Sequence, residues 1–237
     1  MDEKKRTVVI PSQVLGDTNT CKAGKGTFKD KESGKIFAER LGILEIQTYK
    51  NQKGESESII NVKPLKGRYD PTVGDTVIGI VEEALGSGWL VDINASSPAL
   101  LHQNEVPWKV DFGDAERYLN KGDSIMAKIL QVDESKKLQI TLNDRNLYKI
   151  KDGHIIEFKP SIYRRIIGKK FSMIEIIQKY TGCRIKVGKN GRIWINGDAE
   201  GIKKVLQAIS KIENEAIMFG LTNRIEEMLK KDAKDVR

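Results

Sequence analysis

The stretch Arg164-Arg165-Ile166-Ile167-Gly168-Lys169-Lys170-Phe171-Ser172-Met173-Ile174-Glu175-Ile176-Ile177 joins two helical patterns through a short basic loop. After the loop, apolar residues recur at helical spacing, at Ile174, Ile177 and Tyr180. Ser172, with Glu175 three residues later, has the form of a helix capping box. The pattern predicts a helix that ends at Gly168 and a second helix that begins just past Phe171. Such a loop favours phosphate binding, but a plain helical hairpin with solvated lysines has the same pattern.

The residues on either side of this stretch complete an α/β pattern. Arg184-Ile185-Lys186-Val187 alternates polar and apolar residues, as a half-buried strand does, and residues 192–197 are predicted to form the return strand. Between them, Gly188-Lys189-Asn190-Gly191 contains the Asn-Gly pair that is typical of hairpin turns. Residues 154–158 are predicted to form a preceding strand, and residues 199–219 a long helix. The predicted order is strand, helix, basic loop, helix, strand, strand, long helix.

This order, with Ile167-Gly168-Lys169-Lys170 at the loop, resembles a KH RNA-binding domain. That family holds a short run of nucleotide backbone with a Gly-x-x-Gly loop. Phe171 stands where the family has its second glycine, and a bulky side chain there should hinder close approach of the nucleotide backbone. The resemblance implies RNA contacts at the loop and at the hairpin turn, from Arg164, Arg165, Gly168, Lys169, Lys170, Lys189 and Asn190.

The composition favours a polyanionic partner and no cofactor. The chain has 237 residues, enough for two or three small domains, and a net charge of +8. Cys21 and Cys183 are far apart in the sequence, and the two histidines, His102 and His154, form no metal-binding spacing with them. We therefore expect free thiols, no metal and no cofactor. Since no apolar run approaches the ~20 residues of a membrane span, we expect a cytoplasmic protein without a membrane partner.

Residues 1–66 are predicted to form a small β domain. Strand-like runs lie between turn residues, at 7–10, 43–49 and 58–62. Three glycines near the start of the domain could suggest a phosphate loop, at Gly16, Gly24 and Gly26. No helix and no Gly-Lys-Ser/Thr sequence follows them, so the pattern argues against a nucleotide site. The expected role of this domain is packing against a partner or the next domain.

Residues 67–148 are predicted to form a closed five-stranded barrel of the OB type. The expected strands occupy residues 76–81, 89–93, 99–102, 122–130 and 138–142. Period-2 alternation places Trp89 on the core face of its strand. A short helix is expected near Ala115, in the irregular stretch before the fourth strand.

These strands resemble the S1-type OB domain, through Val73-Gly74-Asp75-Thr76-Val77-Ile78-Gly79, Gly88-Trp89-Leu90-Val91-Asp92-Ile93 and Ala99-Leu100-Leu101-His102. That family binds single-stranded RNA with two aromatics, a histidine, an aspartate and a basic residue. The resemblance implies RNA contacts from His102, Asp133 and Lys137, while the aromatic positions fall on Ser87 and Leu90. Base stacking by the barrel should therefore be absent. The alternatives are that His102 caps a strand end and that Asp133 holds its turn.

Residues 149–237 are predicted to form the KH-like domain with a C-terminal amphipathic helix, so the chain is mainly β with a C-terminal α/β part. This domain order, with Leu65-Lys66-Gly67-Arg68-Tyr69 before the barrel, resembles the RNA-binding cap subunit of the archaeal exosome, of the S1-plus-KH type. The resemblance implies a non-catalytic subunit, with three copies on a hexameric phosphorolytic ring that guide the 3′ ends of single-stranded RNA into its pore. The β domain of residues 1–66 would dock on the ring.

Two other classes of function stay open. One is a free-standing RNA chaperone or translation-associated protein built from the same modules. The other is a hydrolytic or phosphorolytic enzyme that carries these modules as appendages. The sequence argues against the enzyme, because no nucleophile–base pair or carboxylate cluster emerges and no room remains for a catalytic domain.

Overall fold

A computed structural model describes residues 7–50, 56–64, 68–133, 137–216, 218 and 220–234. The chain divides into two compact units, residues 1–67 and 68–237. The second unit contains both the barrel and the KH-like domain.

The first unit consists of two small sheets. Its strands are β1 (Val8–Val9), β2 (Val14–Asp17), β3 (Cys21–Ala23), β4 (Thr27–Lys29), β5 (Lys35–Ala38), β6 (Gly42–Lys50) and β7 (Ser56–Pro64). The long antiparallel pair β6–β7 is flanked by β1 and by the parallel strand β3, and the second sheet has the order β2-β5-β4. Gly26 adopts φ +71°, and a Cβ there would lie 2.5 Å from the Val62 carbonyl oxygen. This glycine thus serves a turn with close backbone packing.

The predicted barrel is confirmed. Its strands are β8 (Thr76–Leu85), β9 (Gly88–Asp92), β10 (Ala99–His102), β11 (Ser124–Val132) and β12 (Leu138–Thr141). The sheet runs β12-β10-β9-β8-β11, and the pairing of β11 with β12 closes it. A further strand, β13 (Tyr148–Ile150), pairs with β11 at the predicted boundary between the barrel and the KH-like domain, where the sequence pattern predicted no strand.

Trp89 organises the barrel core. Its side chain is fully buried, and its indole Nε1 donates to the carbonyl oxygens of Ala115, at 3.2 Å, and Leu119, at 3.0 Å. These acceptors lie in and just after a 3-10 turn at Ala115–Arg117, which is the short helix predicted there. Trp89 therefore belongs to the core, as the alternation of the strand predicted, and does not offer its ring to RNA.

The KH-like domain has the predicted order of elements. They are β14 (His154–Glu157), α1 (Tyr163–Ile167), α2 (Ser172–Thr181), β15 (Arg184–Val187), β16 (Arg192–Asn196), α3 (Ala199–Asn214) and α4 (Leu221–Lys234). The three strands form a sheet of order β14-β16-β15. Two details differ from the prediction. Helix α3 ends at Asn214, and the N-cap of α2 is Phe171, without a side-chain cap bond, so the capping box at Ser172 was wrong.

The hairpin turn between β15 and β16 is inserted into the barrel wall. Asn190 is fully buried, and its Nδ2 donates to the carbonyl oxygens of Ile78, at 2.8 Å, and Ile93, at 2.9 Å. Its Oδ1 accepts from Ile78 N at 3.1 Å. Because all these polar groups are used and the side chain is inaccessible, the prediction that Asn190 contacts RNA does not hold for this fold. The residue joins the two domains instead.

Charged side chains surround this junction. Lys189 Nζ lies 2.6 Å from Asp75 Oδ1, and the Tyr69 hydroxyl donates to Asp75 Oδ2 at 2.9 Å. Arg192, only 4% exposed, pairs with Asp92 of the barrel and with Glu157 of β14. The predicted RNA residue Lys189 is therefore neutralised by the barrel, which lowers the contribution that its charge could make to RNA binding.

Candidate nucleic-acid interface

The loop between α1 and α2, residues 168–171, is called the KH loop below. Gly168 adopts φ +76° and ψ 176°, and a Cβ there would lie 2.6 Å from Met173 N. Lys170, at φ +52°, and Phe171, at φ +67°, are both in the left-handed region. That region favours glycine, so the backbone of Phe171 keeps a glycine-like conformation although its side chain is bulky.

Four cations surround the KH loop, and they are called the loop cations below: Arg164, Arg165, Lys169 and Lys170. Arg164, Lys169 and Lys170 are exposed, and Arg165 is half-buried. Within the ranges that the structure describes, no carboxylate forms an ion pair with any of them. The structure thus brings these predicted RNA residues together as one positively charged surface.

A cavity of about 370 Å³ opens beside the KH loop. It is lined by Tyr163, Arg164, Ile167, Gly168, Lys169 and Phe171. The lining is mixed, with two aromatic rings, one aliphatic side chain and two cations. Burial raises the pKa of the Tyr163 hydroxyl, with nearby Lys189 opposing and Asp75 reinforcing the shift. The phenol therefore stays protonated at neutral pH and can donate a hydrogen bond into this region.

Phe171 is the lining residue that sequence reasoning missed. The pattern identified it only as an obstacle at a glycine position, whereas its side chain is 61% exposed at the edge of the cavity. An aromatic residue that immediately follows two lysines and precedes a helix was the available signal. Its exposure could not be known from the pattern, because aromatic residues at such boundaries often pack into the core.

On the barrel, His102 ends β10 and caps the following 3-10 turn, Gln103–Glu105. Its Nδ1 accepts a hydrogen bond from Asn104 N at 3.2 Å. This contact is the capping role that the sequence left open as the alternative. Because Nδ1 accepts, the neutral ring carries its proton on Nε2, and that atom is a donor suited to a phosphate or a base edge. Capping and RNA contact are therefore compatible at His102.

Asp133 and Lys137 close the turn between β11 and β12. Asp133 Oδ1 accepts from Lys137 N at 2.6 Å, and Asp133 N donates to the Lys137 carbonyl oxygen at 3.1 Å. Asp133 thus holds its turn, while the Lys137 side chain is exposed. Residues 134–136 between them lie outside the described residues.

The three predicted RNA-binding residues of the barrel, His102, Asp133 and Lys137, do not lie together at one point. In the parallel pair β10–β12, Leu138 lies opposite Ala99, three residues before His102. At the usual rise of a strand, His102 and the Lys137 end of β12 are about 10 Å apart. Asp133 and Lys137 form one pair and His102 lies apart from them, so a bound strand would have to extend along the sheet to touch both.

The outer face of these strands offers no aromatic ring. Leu90 lies opposite Leu100 on half-buried positions, and Gln139 lies opposite Leu100 on β12. Ser87 is in the turn that precedes β9. The barrel strands therefore present hydrogen-bonding groups and aliphatic surface, and any stacking of bases must come from elsewhere in the molecule.

Metal ligands, thiols and apolar helices are the other features that could define a site. Among the described residues, no group of three or more His, Cys, Asp or Glu side chains could hold a metal ion. Cys21 and Cys183 are both free thiols, and they lie in different units. In the described part of the chain, no helix is both long enough and apolar enough to cross a membrane.

Comparison with known proteins identifies the family. Residues 68–135 match the family model for the RRP4 S1 domain, and residues 154–211 match that for the KH domain. The chain is 39% identical over 232 residues to the exosome complex component Rrp4 of Methanosarcina mazei, covering 98% of this chain and 84% of that protein. It is also 39% identical to the Rrp4 component of Thermoplasma volcanium, covering 88% of this chain and 84% of the relative.

A structural comparison agrees. A crystal structure assigned to an exosome complex RNA-binding protein has a TM-score of 0.65 and 31% identity, over 72% of this chain and 100% of that one. The S1-plus-KH resemblance is therefore confirmed. The chain belongs to the Rrp4 family of exosome complex components.

Proposed function

We propose that this chain is a non-catalytic RNA-binding cap subunit of the archaeal exosome. In this role it recruits single-stranded RNA in the cytoplasm and guides the 3′ end into a hexameric phosphorolytic ring for degradation or processing. Three copies form the cap. The family membership and the order of S1 and KH modules support this role, because each module offers a surface suited to single-stranded RNA.

The observation that carries the proposal is the set of loop cations beside an open cavity. Several cations elsewhere in the second unit are neutralised, as in the pairs Lys149–Asp123, at 2.5 Å, and Lys189–Asp75, at 2.6 Å. Around the KH loop, four cations have no such partner among the described residues. A polyanion can supply the missing counter-charge, and neutralising several phosphates is the main source of affinity for nucleic acid.

The barrel adds a second, weaker contact surface. The Nε2–H group of His102 and the ammonium group of Lys137 are suited to phosphate oxygens, and the outer faces of β9, β10 and β12 carry no aromatic ring for stacking. Since the barrel and the KH loop belong to one compact unit, both surfaces can act on the same RNA strand. Each surface by itself should bind weakly.

The first unit is the proposed element that docks on the ring. Among its described residues, seven large apolar side chains are exposed: Val8, Ile10, Val14, Phe28, Leu41, Ile46 and Tyr49. Val14 and Phe28 lie on either side of Phe37 in adjacent strands, and contiguous exposed apolar surface is typical of protein interaction sites. For this unit we therefore favour contact with protein over contact with RNA.

Reconstitution tests the proposal. The full-length protein is mixed with a phosphorolytic hexamer, and release of nucleoside diphosphates from a single-stranded RNA is measured at limiting RNA. We expect a stable complex with faster degradation than the ring alone, and no degradation by the isolated protein with either phosphate or water. Failure to bind the ring, together with RNA binding by the free protein, would favour the free-standing RNA chaperone. Nucleotide release by the pure protein would contradict a non-catalytic role.

A further inference from the structure

Phe171 is an exposed aromatic residue with no structural reason to be aromatic. Its side chain is 61% exposed, and it is absent from the core cluster of the KH-like domain. Burial therefore does not account for the ring. It lies at the edge of the cavity beside Arg164 and Tyr163, where a ligand can reach it.

The backbone conformation at Phe171 is a second indication that a nucleotide contacts this loop. A Gly-x-x-Gly clamp works because the absence of a side chain lets the nucleotide backbone approach the loop. Here the loop keeps the left-handed backbone, φ +67° at Phe171, but adds a phenyl ring at that position. The ring hinders a backbone clamp, and it also places a flat apolar surface where a nucleotide would arrive.

We propose that Phe171 is a stacking platform for an unpaired base, so that the KH loop of this chain holds RNA by a base instead of clamping its backbone. Arg164 and Lys169, which line the same cavity, neutralise the phosphates on either side of the stacked base. Stacking on an aromatic side chain tolerates every base, since each has a π face. The inference rests on the proposed RNA-binding function and specifies its chemistry at this loop.

The charge around Phe171 favours RNA over a protein partner. Residues 163–174 contain the four loop cations and no Asp or Glu. A nucleotide satisfies the ring and the cations together, because it carries a flat base and a phosphate. Phe112 provides the contrast within the same unit. It is 81% exposed, but Asp111 and Asp114 flank it closely, and that setting disfavours a polyanion.

The test compares RNA with and without bases. Binding of the full-length protein to a fluorescein-labelled ten-nucleotide oligoadenylate is measured by anisotropy at low salt, beside an abasic oligomer of equal length and charge. We expect Phe171→Ala and Phe171→Leu to weaken oligoadenylate binding about five- to hundred-fold and to leave abasic binding nearly unchanged. Phe171→Trp should retain or raise affinity. Phe112→Ala is the matched control and should have no effect.

Phe171→Gly gives the sharpest discrimination. Glycine suits the left-handed backbone, so the loop should fold, and the substitution restores the Gly-x-x-Gly pattern. Stacking predicts a loss of affinity similar to that of Phe171→Ala, whereas a backbone clamp predicts a gain, and a gain would overturn the inference.

Three other results would also count against it. Wild-type protein that does not bind RNA would overturn the proposed function and this inference with it. RNA binding that is equal in wild type, Phe171→Ala and Phe171→Leu would overturn the inference alone. If Phe171→Ala lost association with the phosphorolytic hexamer but still bound RNA, the phenyl side chain of Phe171 would be a protein contact.

Discussion

Asn190 and Ile78 are joined through both polar ends of the asparagine side chain. Oδ1 accepts from Ile78 N at 3.1 Å, and Nδ2 donates to the Ile78 carbonyl oxygen at 2.8 Å. The side chain thus pairs with the backbone of β8 as another strand would, across a separation of 112 residues in sequence. The barrel and the KH-like domain are held at this point by a group that has no exposure to solvent.

Asn190→Ala should destabilise the second unit. It removes three buried hydrogen bonds and takes the side-chain partner from the Ile78 N–H and the Ile93 carbonyl, while the Ile78 carbonyl keeps a longer contact from Arg192 at 3.4 Å. Since each buried unsatisfied group costs about 1–3 kcal/mol, these two groups together should lower the free energy of unfolding by at least about 2 kcal/mol. Urea denaturation of the full chain measures it. Asn196→Ala, at a half-buried position of the same hairpin, is the control and should cost under about 1 kcal/mol. If Asn190→Ala and Asn196→Ala lowered the free energy of unfolding equally, Asn190 would not be the residue that joins the two domains.

Replacing Lys169 and Lys170 with alanine should weaken RNA binding to a similar extent for all sequences. Phosphate contacts carry no base information, and each lost contact should flatten the salt slope by about 0.7, so about 1.4 for both. RNA affinity measured at several salt concentrations, for the wild type and the double variant, gives the two slopes to compare. Lys29→Ala with Lys31→Ala removes the same charge from exposed positions of the first unit and should leave the slope unchanged. A sequence-dependent loss would argue against phosphate contacts.

Binding by the isolated protein should be weak and strongly salt-dependent, and binding by the assembled complex much tighter. The outer faces of β9, β10 and β12 carry no aromatic ring for stacking, and the KH loop is a small site. Three caps on one RNA would combine weak sites through effective concentration, by ~10²-fold or more. Titration of a long and a short RNA against free and assembled protein measures the gain. A short RNA that cannot span the caps should gain little, and an equal gain for both lengths would contradict the combination.

Removing residues 1–66 should abolish association with the ring and leave the second unit folded. The second unit has its own cores, around Trp89 in the barrel and Ile177 in the KH-like domain, both fully buried. Circular dichroism checks the fold of the fragment, and sedimentation with the hexamer checks association. Ring binding that survives in the folded fragment starting at Gly67 would show that the docking surface lies in the second unit.

The order and type of most elements follow from local pattern. Alternation over residues 89–93 placed Trp89 in the core, and helical spacing after Phe171 predicted α2, because both periods report which side of an element is buried. The KH-like order and the barrel strands were recognisable for the same reason. The RNA candidates around the KH loop could be named from their charge, since they are close together in the sequence.

The roles of individual polar residues were decided by the tertiary structure. An Asn-Gly turn has the same local signal whether it faces solvent or another domain, so the burial of Asn190 against Ile78 could not be read from the hairpin itself. Strand β13 was missed because three residues are too few for a period, and it exists through pairing with β11. The exposure of Phe171 and the pairing of Lys189 with Asp75 likewise depend on residues distant in sequence. Periodicity records the average environment of an element, whereas a single polar side chain takes its role from the partner that the fold brings to it.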